Sequence, residues 1–267
     1  MGKIILDKLF IPTTKDHRTL RIYLPEDYDN ETVSYPVLYM HDAQNLFDDA
    51  MAYAGVSWGV KETLDALISE QKIPKLIVVG IDNSPERMDE YSPWKSAELV
   101  SELFDDCWGG KGDLYADFIV KDLKHYIDDN YRTQRDFHNS MIAGSSMGGL
   151  ISSYTAFKYT DIFGVVGIFS LASWFNEERY LAYLDDAPLR SDQKYFITIG
   201  KHETSKDDYK SFSNIYLDNS RNLRNALEEK GIKHIFYQET DDQHNESNWK
   251  KAFIPFILFA FEDIKNR

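Results

Sequence analysis

What most constrains this chain is a change of hydrophobic period that repeats along its length. Short runs of β-branched and aromatic residues recur at Leu20 to Leu24, Tyr35 to Tyr39, Leu76 to Ile81, Met141 to Ala143, Val165 to Ser170, Tyr195 to Ile199 and His234 to Gln238. Between the later runs lie segments of helical spacing, at Gly112 to Asn130, Gly148 to Tyr159, Phe212 to Lys230 and Ser247 to Ile264. Strand alternating with helix predicts an α/β chain with a mostly parallel sheet and helices on both faces. The first two runs, with the turn TTKDHRT assigned between them, are expected to form an antiparallel hairpin at the N-terminal edge. No internal repeat or low-complexity linker interrupts the pattern, so residues 1–267 read as one domain.

In sheets of this kind ligands bind beyond the carboxyl ends of the strands. One such end carries a distinctive pattern: MIAGSSMGGL runs from a β segment through Gly144, Ser145, Ser146, Met147 and Gly148 into a helix-like stretch. A serine exposed on a tight strand-to-helix turn needs small residues two places either side, and of the two serines only Ser146 has glycine on both flanks. The same turn puts the backbone N–H of Met147 at a helix N-terminus, where it can face a developing oxyanion.

A serine hydroxyl at neutral pH needs a base, and the base needs a group to hold it. On this fold the chain order is serine, acid, histidine. His17, His41, His125 and His138 precede Ser146, although His41 lies in a strand-end loop and is expected to help shape the site. His234 opens the last strand at its amino end, and His202 reads as a loop residue. His244, in ETDDQHNESNW just before the last helix, is the expected base. Glu203 is the first carboxylate after the strand that ends at Gly200, with Asp207 and Asp208 as alternatives. Trp174, Trp94 and Trp58 fall in or near the strand-end loops and are candidates for a pocket wall, and Arg87, in the long polar connection from Asp82 to Trp94, for a salt bridge or a ligand contact.

These elements, GSSMGGL, IGKHE and HNESNW together with YMHDAQNLFD, GIDNSPERMDEYSPW and YRT, resemble the Putative esterase family of the α/β-hydrolase superfamily. Feruloyl and acetyl-xylan esterases, S-formylglutathione hydrolases, enterochelin esterases and mycolyltransferases belong to that branch, and the resemblance spans roughly residues 18 to 262. It implies Ser146 as nucleophile, Glu203 as the acid three residues after glycine, and His244 as base. It also implies a second oxyanion donor from the loop His41, Asp42, Ala43, Gln44. Asp42 stands where relatives carry glycine, which leaves the N–H of Ala43 or Gln44 as the expected donor.

The expected activity is a serine carboxylesterase acting on a small or carbohydrate-linked ester through an acyl-enzyme. A thioesterase of the S-formylglutathione hydrolase type or an acyltransferase is the alternative among enzymes. An inactive binding protein on the same scaffold is the alternative outside them. Thirty basic against 44 acidic side chains give a net charge of -14, which repels phosphate backbones and anionic lipid, so neither nucleic acid nor membrane is an expected partner. No apolar stretch approaches the roughly 18 residues of a membrane span, and a soluble cytoplasmic protein is expected. The single Cys107 excludes an internal disulfide, and no metal-binding or phosphate-loop spacing is found, so the expected reaction uses no metal and no cofactor.

Overall fold

The computed structural model describes residues 1–11, 15–203 and 214–262. Its eight strands form one sheet in the order β1-β2-β4-β3-β5-β6-β7-β8. They are β1 (Lys3–Ile11), β2 (Asp16–Leu24), β3 (Val37–His41), β4 (Ile77–Ile81), β5 (Ser140–Ser145), β6 (Val165–Phe169), β7 (Lys194–Gly200) and β8 (His234–Thr240). From β4 to β8 every pairing is parallel, while β1 pairs antiparallel with β2 and β2 with β4.

The edge hairpin corrects the expectation from sequence. Its strands are β1 and β2, and the run Leu20 to Leu24 is the inner half of β2, which pairs with β4 and not with the run at Tyr35 to Tyr39. The run missed was β1, KIILDKLFI, whose residues alternate between exposed and half-buried because it closes the sheet edge. Such a strand buries too little to stand out as an apolar run.

The parallel strands from β3 to β7 are short and wholly buried, β8 at the far edge is half-buried, and alternate residues serve opposite faces. Val37 and Tyr39 of β3 join one core and Leu38 and Met40 the other. Helix α1 (Val60–Ser69) and helix α9 (Glu246–Ala260) cover the second core. After β4 come the short α2 (Arg87–Glu90) and α3 (Glu98–Phe104), and on the first core lie the helical stretch α4 (Gly112–Asp117), Phe118–Leu123 and α5 (Lys124–Asn130), then α6 (Met147–Lys158), α7 (Glu177–Asp186) and α8 (Ile215–Glu229). In α6 only Lys158 escapes burial, because this helix packs under the centre of the sheet.

The chain winds from β3 to β4 in one direction and then resumes with β5 on the other side of β3. The strand order therefore reverses between β3 and β5, and a crevice opens beyond their carboxyl ends.

Candidate active site

Three neighbouring strands end in the same unusual way. The first residue past β3, β5 and β6 is Asp42, Ser146 and Ser170, with φ of 56°, 56° and 54°. None is glycine, and each such conformation costs roughly 1–3 kcal/mol unless the surroundings over-determine it. Asp42 and Ser146 line the crevice, and Ser170 lies beneath it against Glu203.

Ser146 has ψ of -122° and sits between β5 and α6. Its N–H donates to the Phe169 carbonyl at 2.8 Å, and its own carbonyl accepts from Gly149 at 3.0 Å, Leu150 at 3.1 Å and Ala172 at 3.3 Å. The need for glycine is unequal on the two flanks. A Cβ at Gly144 would lie 2.6 Å from the Gly148 backbone, whereas one at Gly148 would meet side chains alone, Asp42 Oδ2 at 3.3 Å, His41 Cβ at 3.5 Å and Tyr91 Cε2 at 4.0 Å. Met147 opens α6, so its N–H has no acceptor within the helix.

Glu203 and His244 come together across 41 residues of sequence, with His244 Nδ1 at 2.9 Å from Glu203 Oε2. Glu203 is 4% exposed, and its other oxygen accepts from the Ser170 hydroxyl at 2.6 Å and the Gly200 N–H at 2.7 Å. Ser170 in turn accepts from Trp249 Nε1 at 2.8 Å. The imidazole is held between two rings, Tyr216 at 4.6 Å and Trp249 at 5.0 Å between centroids. With Nδ1 engaged by a carboxylate, Nε2 is the nitrogen left for proton transfer. Ser146 and His244 line one cleft. No direct hydrogen bond joins their side chains, a looseness common before substrate tightens such contacts. Asp207 and Asp208 lie outside the described residues.

The opposite wall is built on Asp42. Arg87 donates to it through Nε at 2.7 Å and Nη2 at 2.8 Å, and Asn83 Nδ2 donates at 2.6 Å. Although burial opposes the charge of Asp42, Arg87 and Asn83 outweigh it and hold the carboxyl below its ordinary pKa. The Gln44 side chain exchanges hydrogen bonds with Asn83 through the Asn83 N–H, carbonyl and amide oxygen at 3.0, 3.2 and 3.1 Å. Of the two backbone donors expected in this loop, Gln44 lies on the cleft. Ala43 is 1% exposed and packs its methyl against Gly80. His41, just before Asp42, lies buried against Tyr91 and Tyr115, and burial lowers its pKa to about 4, so it is neutral.

The aromatic wall expected from sequence is largely elsewhere. Trp58 is a correction: it is 3% exposed and packs against Phe169, Trp249 and Phe253 beneath the site. Trp94 packs between Tyr154 and Tyr183 and is not among the cleft residues. Trp174 stacks on Phe175 at 4.2 Å and meets Tyr216 edge-on, and the Tyr216 hydroxyl reaches both Trp174 and Ser146. Arg87 both makes its salt bridge and lines the cleft. The sequence reading missed Asn45, Met51, Tyr53, Asn83, Glu246 and Trp249, which complete a cleft of about 500 Å³. Two of these, Glu246 and Trp249, lie in the same HNESNW segment as His244 and were within reach of that motif.

Among the described residues no group of three His, Cys, Asp or Glu is arranged to hold a metal ion, and no helix is long and apolar enough to cross a membrane. A model of the family described as Putative esterase matches residues 11–260. The chain belongs to this esterase family. It is a carboxylic ester hydrolase of the α/β-hydrolase fold. The esterase is 29% identical over 217 residues to the uncharacterized protein YbbA of Bacillus subtilis (strain 168), a match taking in 81% of this chain and 80% of that one. It is 25% identical over 173 residues to an endo-1,4-beta-xylanase/feruloyl esterase of Xylanibacter ruminicola, 62% of this chain but only 21% of that protein. In three dimensions it matches an IroE-like serine hydrolase from Shewanella oneidensis with a TM-score of 0.78 at 21% identity, over 98% of this chain and 81% of that one. A ferulic acid esterase matches with a TM-score of 0.74 at 18% identity, over 98% and 99% of the two chains.

Proposed function

We propose that this esterase is a serine carboxylesterase that works through an acyl-enzyme on Ser146. His244 Nε2 takes the hydroxyl proton as Ser146 Oγ attacks the ester carbonyl, and Glu203 stabilises the imidazolium that results. The N–H groups of Met147 and Gln44 receive the oxyanion, each such donor being worth roughly 2.7–4 kcal/mol in the transition state. His244 then protonates the departing alcohol, and a water activated by the same imidazole releases the acid.

The observation that carries this reading is the 2.9 Å contact of His244 with a buried, doubly anchored Glu203, in the cleft that Ser146 lines. A small or carbohydrate-linked ester is favoured as substrate by the feruloyl and ferulic acid esterases among the relatives. We also read residues 1–267 as one domain, because the single sheet draws its strands from Lys3 through Thr240.

With p-nitrophenyl acetate the wild type is expected to release a burst of p-nitrophenol equal to the enzyme concentration. Ser146→Ala is expected to abolish the burst and lower kcat on the order of a million-fold. Equal turnover by the two proteins would overturn the proposal.

A further inference from the structure

Four acidic or basic side chains line the cleft: Asp42, Arg87, His244 and Glu246. Three are accounted for. Asp42 and Arg87 neutralise one another through two hydrogen bonds, and His244 is engaged by Glu203. Glu246 differs. It is 8% exposed, and the only hydrogen bond to its carboxylate among the described residues is a long one of 3.5 Å, from Asn45 Nδ2 to Oε1. No salt bridge to it is formed among those residues, and it lines the cleft beside Asn45. A nearly buried carboxylate with so little compensation is costly, and a binding partner that supplies a donor or a positive charge offsets that cost.

Its position says which part of a substrate it meets. The imidazole that protonates the leaving alcohol must lie on the alcohol's side of the ester bond. Glu246 follows His244 by two residues, at the first position of α9, and Asn45 and Trp249 line the cleft with it. The alcohol portion therefore runs past Glu246. A carboxylate only accepts hydrogen bonds, so it rewards hydroxyl and ammonium groups and repels carboxylate and phosphate. The net charge of -14 adds a field of the same sign.

We infer that Glu246 is the specificity-determining residue of the leaving-group side, selecting esters whose alcohol carries hydrogen-bond donors, as hydroxyls or an ammonium group, and refusing anionic alcohols. The inference rests on the serine esterase reading above and deepens it from ester to class of alcohol. Anionic thiols such as glutathione fall outside the class.

The test uses three acetate esters with one acyl group: an acetylated methyl xyloside, O-acetyl ethanolamine and O-acetyl glycolate. Wild-type kcat/KM is expected to be at least about ten-fold higher for the sugar and ammonium esters than for the glycolate ester. Glu246→Gln keeps the shape and removes the charge, and is expected to narrow the ammonium-to-glycolate ratio about ten-fold. Glu246→Asp keeps the charge and is expected to retain the ratio. The sugar arm tells whether hydroxyls alone are enough: it stays ahead of glycolate in the wild type if they are, and an ammonium preference alone would restrict the class to cationic alcohols and overturn the hydroxyl half. Equal ratios in the wild type and Glu246→Gln would overturn the inference while leaving the serine esterase reading intact. Hydrolysis of all three esters surviving Ser146→Ala would overturn that reading instead.

Discussion

Two carboxylates flank one cleft, Asp42 on its wall against Arg87 and Glu203 behind the His244 ring that lines it, and they are used in opposite ways. Asp42 gives both oxygens to Arg87 and one also to Asn83, which leaves nothing free to react. Glu203 spends one oxygen on Ser170 and Gly200 and gives the other to a single nitrogen of His244, leaving the far nitrogen of the ring facing outward. The first pair is saturated and braces the loop that carries Gln44. The second engages only Nδ1 of its imidazole, which leaves Nε2 for the proton transfer proposed above. Around one cleft, the number of unspent donors and acceptors separates a brace from a pair with capacity for proton transfer.

The comparison breaks most sharply at Glu203. Glu203→Gln is expected to lower kcat about 10,000-fold with little change in KM, because an amide orients the imidazole without stabilising its cation. Steady-state kinetics with p-nitrophenyl acetate measures this, and a loss under about ten-fold would mean that the pair is merely structural. Arg87→Met sharpens the other side. Removing one partner of a largely buried ion pair is expected to cost about 3 kcal/mol in urea denaturation. It should also slow kcat by roughly ten- to hundred-fold as the Gln44 donor loses its support. A variant of unchanged stability and rate would show that the brace is idle.

The smallest effect concerns the neutral histidine beside Asp42. His41 has its pKa lowered by burial from an ordinary 6.5 to about 4. Between those values the unfolded chain takes up a proton that the folded one refuses. The contribution is therefore intact above about pH 6.5 and is lost as pH falls toward 4, by up to about 3 kcal/mol. Stability measured from pH 7 to 4 should fall less steeply in His41→Gln than in the wild type, and parallel curves would assign the acid sensitivity to other groups.

Much of this was legible in the chain itself, and for local reasons. Gly144 can be read from the sequence because the close approach it permits is to Gly148, four residues away. The inner parallel strands can be read because burial on both faces makes them continuous apolar runs. His244 can be read because the order of elements leaves it at the right strand end. β1 escaped because half of it faces solvent, and Trp58 misled because a loop position in sequence says nothing of whether the ring turns outward or into the core.

By itself, then, the sequence determined the alternation of strand and helix, the turn at Ser146 and the candidate acid and base, since each depends on residues close in the chain or on their order. Only the tertiary structure decided that Asp42 is consumed by Arg87 while Glu246 is left nearly alone, and that Trp249 rather than Trp58 lines the cleft. Those outcomes depend on distances between segments 41 to 201 residues apart. Charge compensation and ring orientation are properties of such encounters, and no local pattern encodes them.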